Sequence, residues 1–211
     1  MRKVLAHGFT LVELLIVIAL LGVIATIVIA AINPIEQANR ATDSGNKADA
    51  SNLVSALQRY YTGHNNYPWN VGDPATYDSA DDAFGFIDAQ DSLVGLCDAT
   101  GCTTAGELID ANELQIAFLS RKFITTTSDA QKLFVGKGQG SSSGVFVCWV
   151  PKSNSNRQTA ITNGKVVDID AGLDATTSLP SYTQACDAGP TVAGWDVTDG
   201  ILPGCGECVP E

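Results

Sequence analysis

From Phe9 to Ile32 the chain runs for 24 residues with one charged side chain, Glu13. As an α-helix this stretch extends about 36 Å at 1.5 Å per residue, enough to cross the hydrocarbon core of a bilayer. A carboxylate so early in a membrane span is costly and asks for a partner. Before Gly8 the chain is short and basic, with Arg2 and Lys3; after Ile32 it is soluble in character. The expected organisation is therefore a short basic start over 1–8, an apolar helix half over 9–32, an amphipathic helix half over 33–61, and an extracytoplasmic head over 62–211.

Two ordinary explanations fall short. A secretory signal peptide has an apolar core of about 7–15 residues followed by a small-residue cleavage site. This run is longer than that and carries an acid near its start. A plain anchor fits the length, with Arg2 and Lys3 holding the N-terminus in the cytoplasm, but it leaves Glu13 without a purpose.

The sequence MRKVLAHG followed by FTLVELLIVIALLGVIA resembles the start of a bacterial type IV prepilin. Leader, glycine, aromatic residue, acid and apolar length all agree. The likeness is close over 1–32 and weaker as far as Pro68, where YYTGHNNYP resembles the end of many pilin helices. The resemblance implies cleavage between Gly8 and Phe9 by a prepilin peptidase, N-methylation of Phe9, and an assembly role for Phe9 and Glu13. It also implies the partners: other pilin subunits, the inner-membrane pilus assembly machinery, and membrane lipid before assembly. In the apolar layer, a salt bridge from Glu13 to a neighbouring subunit's Phe9 amine would offset the cost of the buried charge.

Gly22 lies mid-span, where glycine costs a helix about 1 kcal/mol relative to alanine and lets helices approach closely. Many pilins carry proline at the position of Ala30; here it comes later, in Asn33-Pro34, and predicts a kink near Ile32–Pro34. From Ile35 to Tyr61 a thin stripe recurs at helical spacing: Ile35, Ala38, Ala41, Gly45, Ala48, Leu53, Leu57 and Tyr60. Its bulky half, Leu53–Tyr61, is expected on the head and its Ala-Gly half against neighbouring helices. Thr62–Asn70 then breaks the helix. Leu108–Phe123 suggests a short helix, and Gly136–Gly144 a flexible connection. Lys132–Val135, Val145–Val150, Gln158–Thr162 and Lys165–Ile169 read as strands, with Asn163-Gly164 as a hairpin turn. The tail from Asp170 to Glu211 shows no periodicity. The expected fold class is α+β: a long N-terminal helix packed on a small antiparallel sheet.

Six cysteines, Cys97, Cys102, Cys148, Cys186, Cys205 and Cys208, all follow the span. An even count there suits disulfides in an oxidising compartment, with 15 pairings open. Cys97 and Cys102 could close a small loop, and the resemblance implies Cys186 with Cys205, as in some pilins; Cys148, on an expected strand, and Cys208 are then left. The Cys205-Gly-Glu-Cys208 spacing also admits zinc. It lies too near the end of the chain to open the helix a thioredoxin-like site needs. Asp168, Asp170 and Asp174 hint at calcium, but Leu173 and Leu179 stand where a calcium loop of EF-hand type needs glycine and glutamate. Asp196 and Asp199 are a second weak candidate. No other cofactor is expected.

The formal net charge is -11, from 12 Lys+Arg and 23 Asp+Glu. Losing Arg2 and Lys3 with the leader would take it from -11 to -13. Such a chain repels nucleic acid, which is not expected to bind the monomer. Residues 60–120 hold ten acids and no Lys or Arg, while 121–165 hold seven bases (Arg121, Lys122, Lys132, Lys137, Lys152, Arg157, Lys165) and one acid, Asp129. A basic face meeting an acidic face of the next subunit would relieve self-repulsion, with DNA capture as the alternative use. Catalysis has little support: His7 leaves with the leader, and His64 sits in an expected turn.

The reading is a non-enzymatic type IV pilus subunit, first in the cytoplasmic membrane and then in an extracellular filament serving adhesion, twitching motility or DNA uptake. A type II secretion pseudopilin and an uncleaved, membrane-anchored binding domain are the alternatives.

Overall fold

The protein's structure, a computed structural model, describes residues 8–70, 84–98, 102–138, 144–174, 177–182, 186, 189, 195 and 204–210. It divides into two units, Met1–Ala38 and Asn39–Glu211.

In the first unit, helix α1 (Leu11–Ala31) is apolar on every side. By length and composition it can cross a membrane. Beyond Glu13 its one polar side chain is Thr26, whose hydroxyl donates to the Val23 carbonyl at 2.7 Å, so that polarity is satisfied within the helix. The helix stops at Ile32, which is extended (φ -99°, ψ 114°). Pro34 explains the stop, because the ring disfavours helical geometry in the residue before it. Pro34 then opens helix α2 (Pro34–His64) at a position that needs no N–H. The Asn33 side-chain oxygen accepts the Glu36 N–H at 3.2 Å. The expected kink is thus a full interruption between two helices.

In the second unit, α2 buries Ala50, Leu53, Val54, Leu57 and Tyr60 along one face. These positions recur at three- and four-residue spacing and bring the bulk that the Ala-Gly half lacks. Burial begins earlier than expected, at Asp43 and Asp49. The helix also runs three residues past Tyr61, to His64.

Against this face lies a five-stranded antiparallel sheet. The strands are β1 (Phe84–Asp88), β2 (Phe134–Lys137), β3 (Val145–Trp149), β4 (Val167–Asp168) and β5 (Cys205–Val209), in spatial order β1-β2-β3-β5-β4. Strand β3 shows the two-residue period plainly. Val145, Val147 and Trp149 join the α2 core with Val135 and Val209. Phe146, Cys148 and Val150 face a second core with Phe86, Phe134, Ile169, Cys205 and Cys208. The head therefore has two cores, one on each side of the sheet. Gly136 is required by this packing: a Cβ there would stand 2.8 Å from the Phe86 ring.

Several local expectations give way. Gln158–Thr162 is not a strand; it forms the end of helix α5 (Asn154–Thr162). Its β-branched residues suggested a strand, but a helix cap at each end decides the matter. Ser153 caps the start by accepting the Asn156 N–H at 3.3 Å. At the other end Asn163 stays right-handed (φ -87°) while Gly164 turns left-handed (φ 64°). Gly164 N–H bonds to Ile161 O at 3.1 Å and Lys165 N–H to Ala160 O at 2.9 Å, the paired bonds of a Schellman motif. Asn163-Gly164 thus closes a helix, where a hairpin of type I′ would need both residues at positive φ.

Leu108–Phe123 likewise holds no single helix but three short turns: α3 (Glu107–Asp110), a 3-10 turn over Ile116–Ser120, and α4 (Lys122–Thr125). Strand β1 and strand β5 were not expected. Gly136 belongs to β2, and residues 139–143 of the expected connection lie outside the described residues, as do Asp196 and Asp199. Because Gly164 has open space where a Cβ would go, Gly164→Ala should cost only backbone strain, about 1 kcal/mol. A urea titration of the purified chain should show that loss, with Gly136→Ala costing more through its clash with Phe86.

Candidate functional site

The first site is the start of α1. Thr10 is extended (φ -82°, ψ 150°) and caps the helix. Its backbone N–H and its hydroxyl each donate to Glu13 Oε2 at 2.8 Å, and its Oγ1 accepts the Glu13 N–H at 3.3 Å. This reciprocal box satisfies two donors at the helix start, and a negative charge in the first turn suits the helix dipole. The Glu13 carboxylate therefore has two donors from its own chain. Gly8 and Phe9 are exposed and precede the helix, so their peptide bond lies in non-helical backbone. Residues 1–7, including His7, lie outside the described residues.

The second site is on the head, where α2 meets α5. Asp43 is buried, and its carboxylate accepts three hydrogen bonds: from Lys152 N–H at 2.7 Å, Ser153 N–H at 2.9 Å and Asn156 Nδ2 at 2.8 Å. A side chain from one helix thus fixes the entry to another. Nothing in the sequence pattern singled out Asp43; the signal available was that at helical spacing it shares the face of Ala50, Val54 and Leu57. One turn and a half along, Asp49 faces Arg121 at 3.5 Å. Burial pushes the Asp49 carboxyl up, and Arg121 opposes that shift.

The seven bases of 121–165 do not form one free basic face. Lys137 is fully buried; its ammonium donates to Gly138 O at 2.7 Å and lies over the Tyr67 ring. Lys132 bridges Asp88 at 2.8 Å and Asp129 at 2.6 Å. Burial alone would lower that ammonium's pKa, but the hydrogen bonds to Asp129 and Asp88 outweigh it and raise it. Arg157 donates to the Pro151 carbonyl at 2.6 Å and covers the Trp195 ring. Arg121, Lys122 and Lys165 remain exposed.

Three disulfides join Cys97 to Cys102, Cys148 to Cys208 and Cys186 to Cys205. Cys148 and Cys208 stand opposite each other on β3 and β5. The two cysteines of Cys205-Gly-Glu-Cys208 thus bond to different partners. Among the described residues no three His, Cys, Asp or Glu side chains gather as a metal site. Asp168 and Asp174 instead accept backbone N–H groups of their own turns, from Ala171 at 3.0 Å and Thr177 at 2.7 Å, while Asp170 is exposed. His64 is not in a turn but in the last turn of α2, stacked on Tyr60 with ring centroids 4.1 Å apart.

Residues 5–29 match the family model of the prokaryotic N-terminal methylation motif. That motif is the signature of type IV pilins and their precursors, and the apolar helix fits it. The start of the chain is thus of the kind found in precursors of pilins and pseudopilins. Neither the curated proteins nor the solved structures contain a match to the chain.

Two outcomes follow from the head. Asp43→Ala removes the acceptor that the Lys152 and Ser153 N–H groups share, and should destabilise the head by about 2–4 kcal/mol, read as a lowered urea midpoint; Asp43→Asn should recover part of the loss. Thiol titration of the denatured, unreduced protein should find no free thiol, and any bound zinc would contradict the three disulfides.

Proposed function

We propose that this chain is a structural subunit of a type IV pilus, inserted with its N-terminus in the cytoplasm, cut between Gly8 and Phe9, methylated at Phe9 and polymerised through α1. The observation that carries the reading is the start of α1. A scissile bond in exposed, non-helical chain is followed at once by a capped helix whose first turn holds its one acid. A peptidase needs accessible backbone outside a helix, and Gly8–Phe9 supplies it. The Thr10 donors lower the cost of holding Glu13 in lipid before assembly, and the new Phe9 amine of a neighbouring subunit supplies a full charge afterwards. An α1 without a polar face beyond that turn suits lipid first and a helix bundle later. The head, stapled by disulfides, suits an oxidising exterior. The assembly machinery of the inner membrane is the expected partner, and the extracellular filament the final location.

The motif is shared with pseudopilins of type II secretion, whose short filaments drive secretion; long surface filaments built of this chain would exclude that as the main role. Two measurements on the native protein test the proposal. The mass of the N-terminal peptide should show a chain beginning at methylated Phe9, and an intact Met1 would refute the processing. Glu13→Ala should leave cleavage intact and reduce sheared filament yield by at least about tenfold, the order expected when a buried charge pair is lost; an undiminished yield would sink the role given to Glu13.

A further inference from the structure

Along one side of α2 the head sets cations beside acids in sequence. Lys152 follows the Asp43 contact, Arg121 faces Asp49, and Arg59 pairs with Glu113 at 2.8 Å. Asp43 to Arg59 spans about 24 Å of helix. These cations are not saturated. Arg59 uses Nε and Nη2 on Glu113 and keeps its other N–H donors, and its side chain is 54% exposed. Arg121 is 53% exposed, reaches Asp49 only at 3.5 Å, and lies over the Phe118 ring. Lys122 makes no ion pair among the described residues. Burial lowers the pKa of the Lys152 ammonium, the nearby Lys122 charge adds to that, and Asp43 opposes both. Between Arg59 and Arg121 runs a groove of about 240 Å³ floored by Leu114, Ala117 and Phe118, and Ile116 beside it is exposed.

The same head also carries the opposite pattern. Asp91, Asp98, Glu107 and Asp110 are exposed on a segment without a single Lys or Arg. The described residues around these acids are joined by the Cys97–Cys102 disulfide and by bonds from Gly106 N–H to Leu96 O at 3.0 Å and Leu108 N–H to Gly95 O at 2.9 Å. Among them Leu93 is exposed.

We propose that the cation strip of Arg59, Arg121, Lys122 and Lys152 docks the acids Asp91, Asp98, Glu107 and Asp110 of a second copy of this chain. The two patches are complementary in charge, and each carries one exposed aliphatic side chain, Ile116 on one and Leu93 on the other. Two different patches meeting give a heterologous contact, which propagates along a filament instead of closing a dimer. It also answers the self-repulsion of a strongly acidic subunit, because the cations meet carboxylates of the neighbour. The inference rests on the pilus-subunit reading and gives that assembly a contact on the head.

The test is the yield of filaments sheared from cells making the full chain, with intact disulfides as the folding control. Arg121→Glu with Lys122→Glu should lower the yield about tenfold, and so should Glu107→Lys with Asp110→Lys; combining all four should restore it to within about threefold of the parent, as expected for a direct charge pairing. Should the Arg121 variant fail to fold, Lys122→Glu with Lys152→Glu replaces it under the same criterion. Undiminished filaments in the strip variants, or no restoration in the combination, would overturn the docking while leaving the subunit reading intact. Undiminished filaments with loss of binding to duplex DNA would make the strip a nucleic-acid surface instead. A parent chain that forms no filaments would overturn the subunit reading and the docking together.

Discussion

A carboxylate can leave water only where donors replace the water, and both units of this chain are shaped by that rule. In α1 the acid is Glu13, and Thr10 supplies a backbone and a hydroxyl donor from the residue that caps the helix. In the head it is Asp43, which takes two backbone N–H groups and one side-chain amide at the entry to α5. Asp49 lacks such a set and has Arg121 at 3.5 Å, and its carboxyl is correspondingly pushed up. The contrast between Asp43 and Asp49 is instructive. Directed N–H groups at 2.7–2.9 Å fix a geometry, whereas a half-exposed guanidinium at 3.5 Å holds the buried Asp49 less closely.

The head is small and strongly acidic, and its sheet answers by being covered on both faces. Alternate residues of β3 enter opposite cores, so α2 packs on one side while Ala160 of α5, Val166 and Ile169 fill the other. Fully burying a valine or phenylalanine contributes about 1.5–3 kcal/mol, so a strand buried on both faces contributes roughly twice what a half-exposed one would. The cross-strand Cys148–Cys208 link then ties that strand to β5, which lies 60 residues away in sequence.

What was legible in the sequence follows the strength of the local signal. The span and its lone acid Glu13 could be read because 24 residues without a second charge admit few structures. The bulky half of α2 could be read because Leu53, Leu57 and Tyr60 recur four and then three residues apart, as one helix face requires. Strand β5 could not: Cys205-Gly-Glu-Cys-Val has one β-branched residue and draws its place from β3 and β4 on either side. Asn163-Gly164 was misread because both a hairpin and a helix C-terminus use a left-handed glycine, and only the conformation of Asn163 separates them. Lys137 was counted as surface charge, although its stem lies in the sheet under Tyr67. Spacing along the chain cannot report a ring folded over from the residues after α2.

The division of specificity between the two units follows from their polarity. An α1 that is apolar all round offers a neighbouring helix no preferred face, since in lipid the helices associate through packing and a few polar contacts, not through hydrophobic burial. Its sole polar anchor is at Glu13, which can set how far along the axis two helices slide but says little about rotation. The rotational register of an assembly must then come from surfaces that do have faces. The second unit supplies them: a cation strip along α2 and an acidic, disulfide-stapled segment built from different residues. A change in Glu13 should therefore affect whether subunits assemble at all, whereas changes in the strip should affect how firmly assembled heads hold one another and how salt-sensitive that hold is.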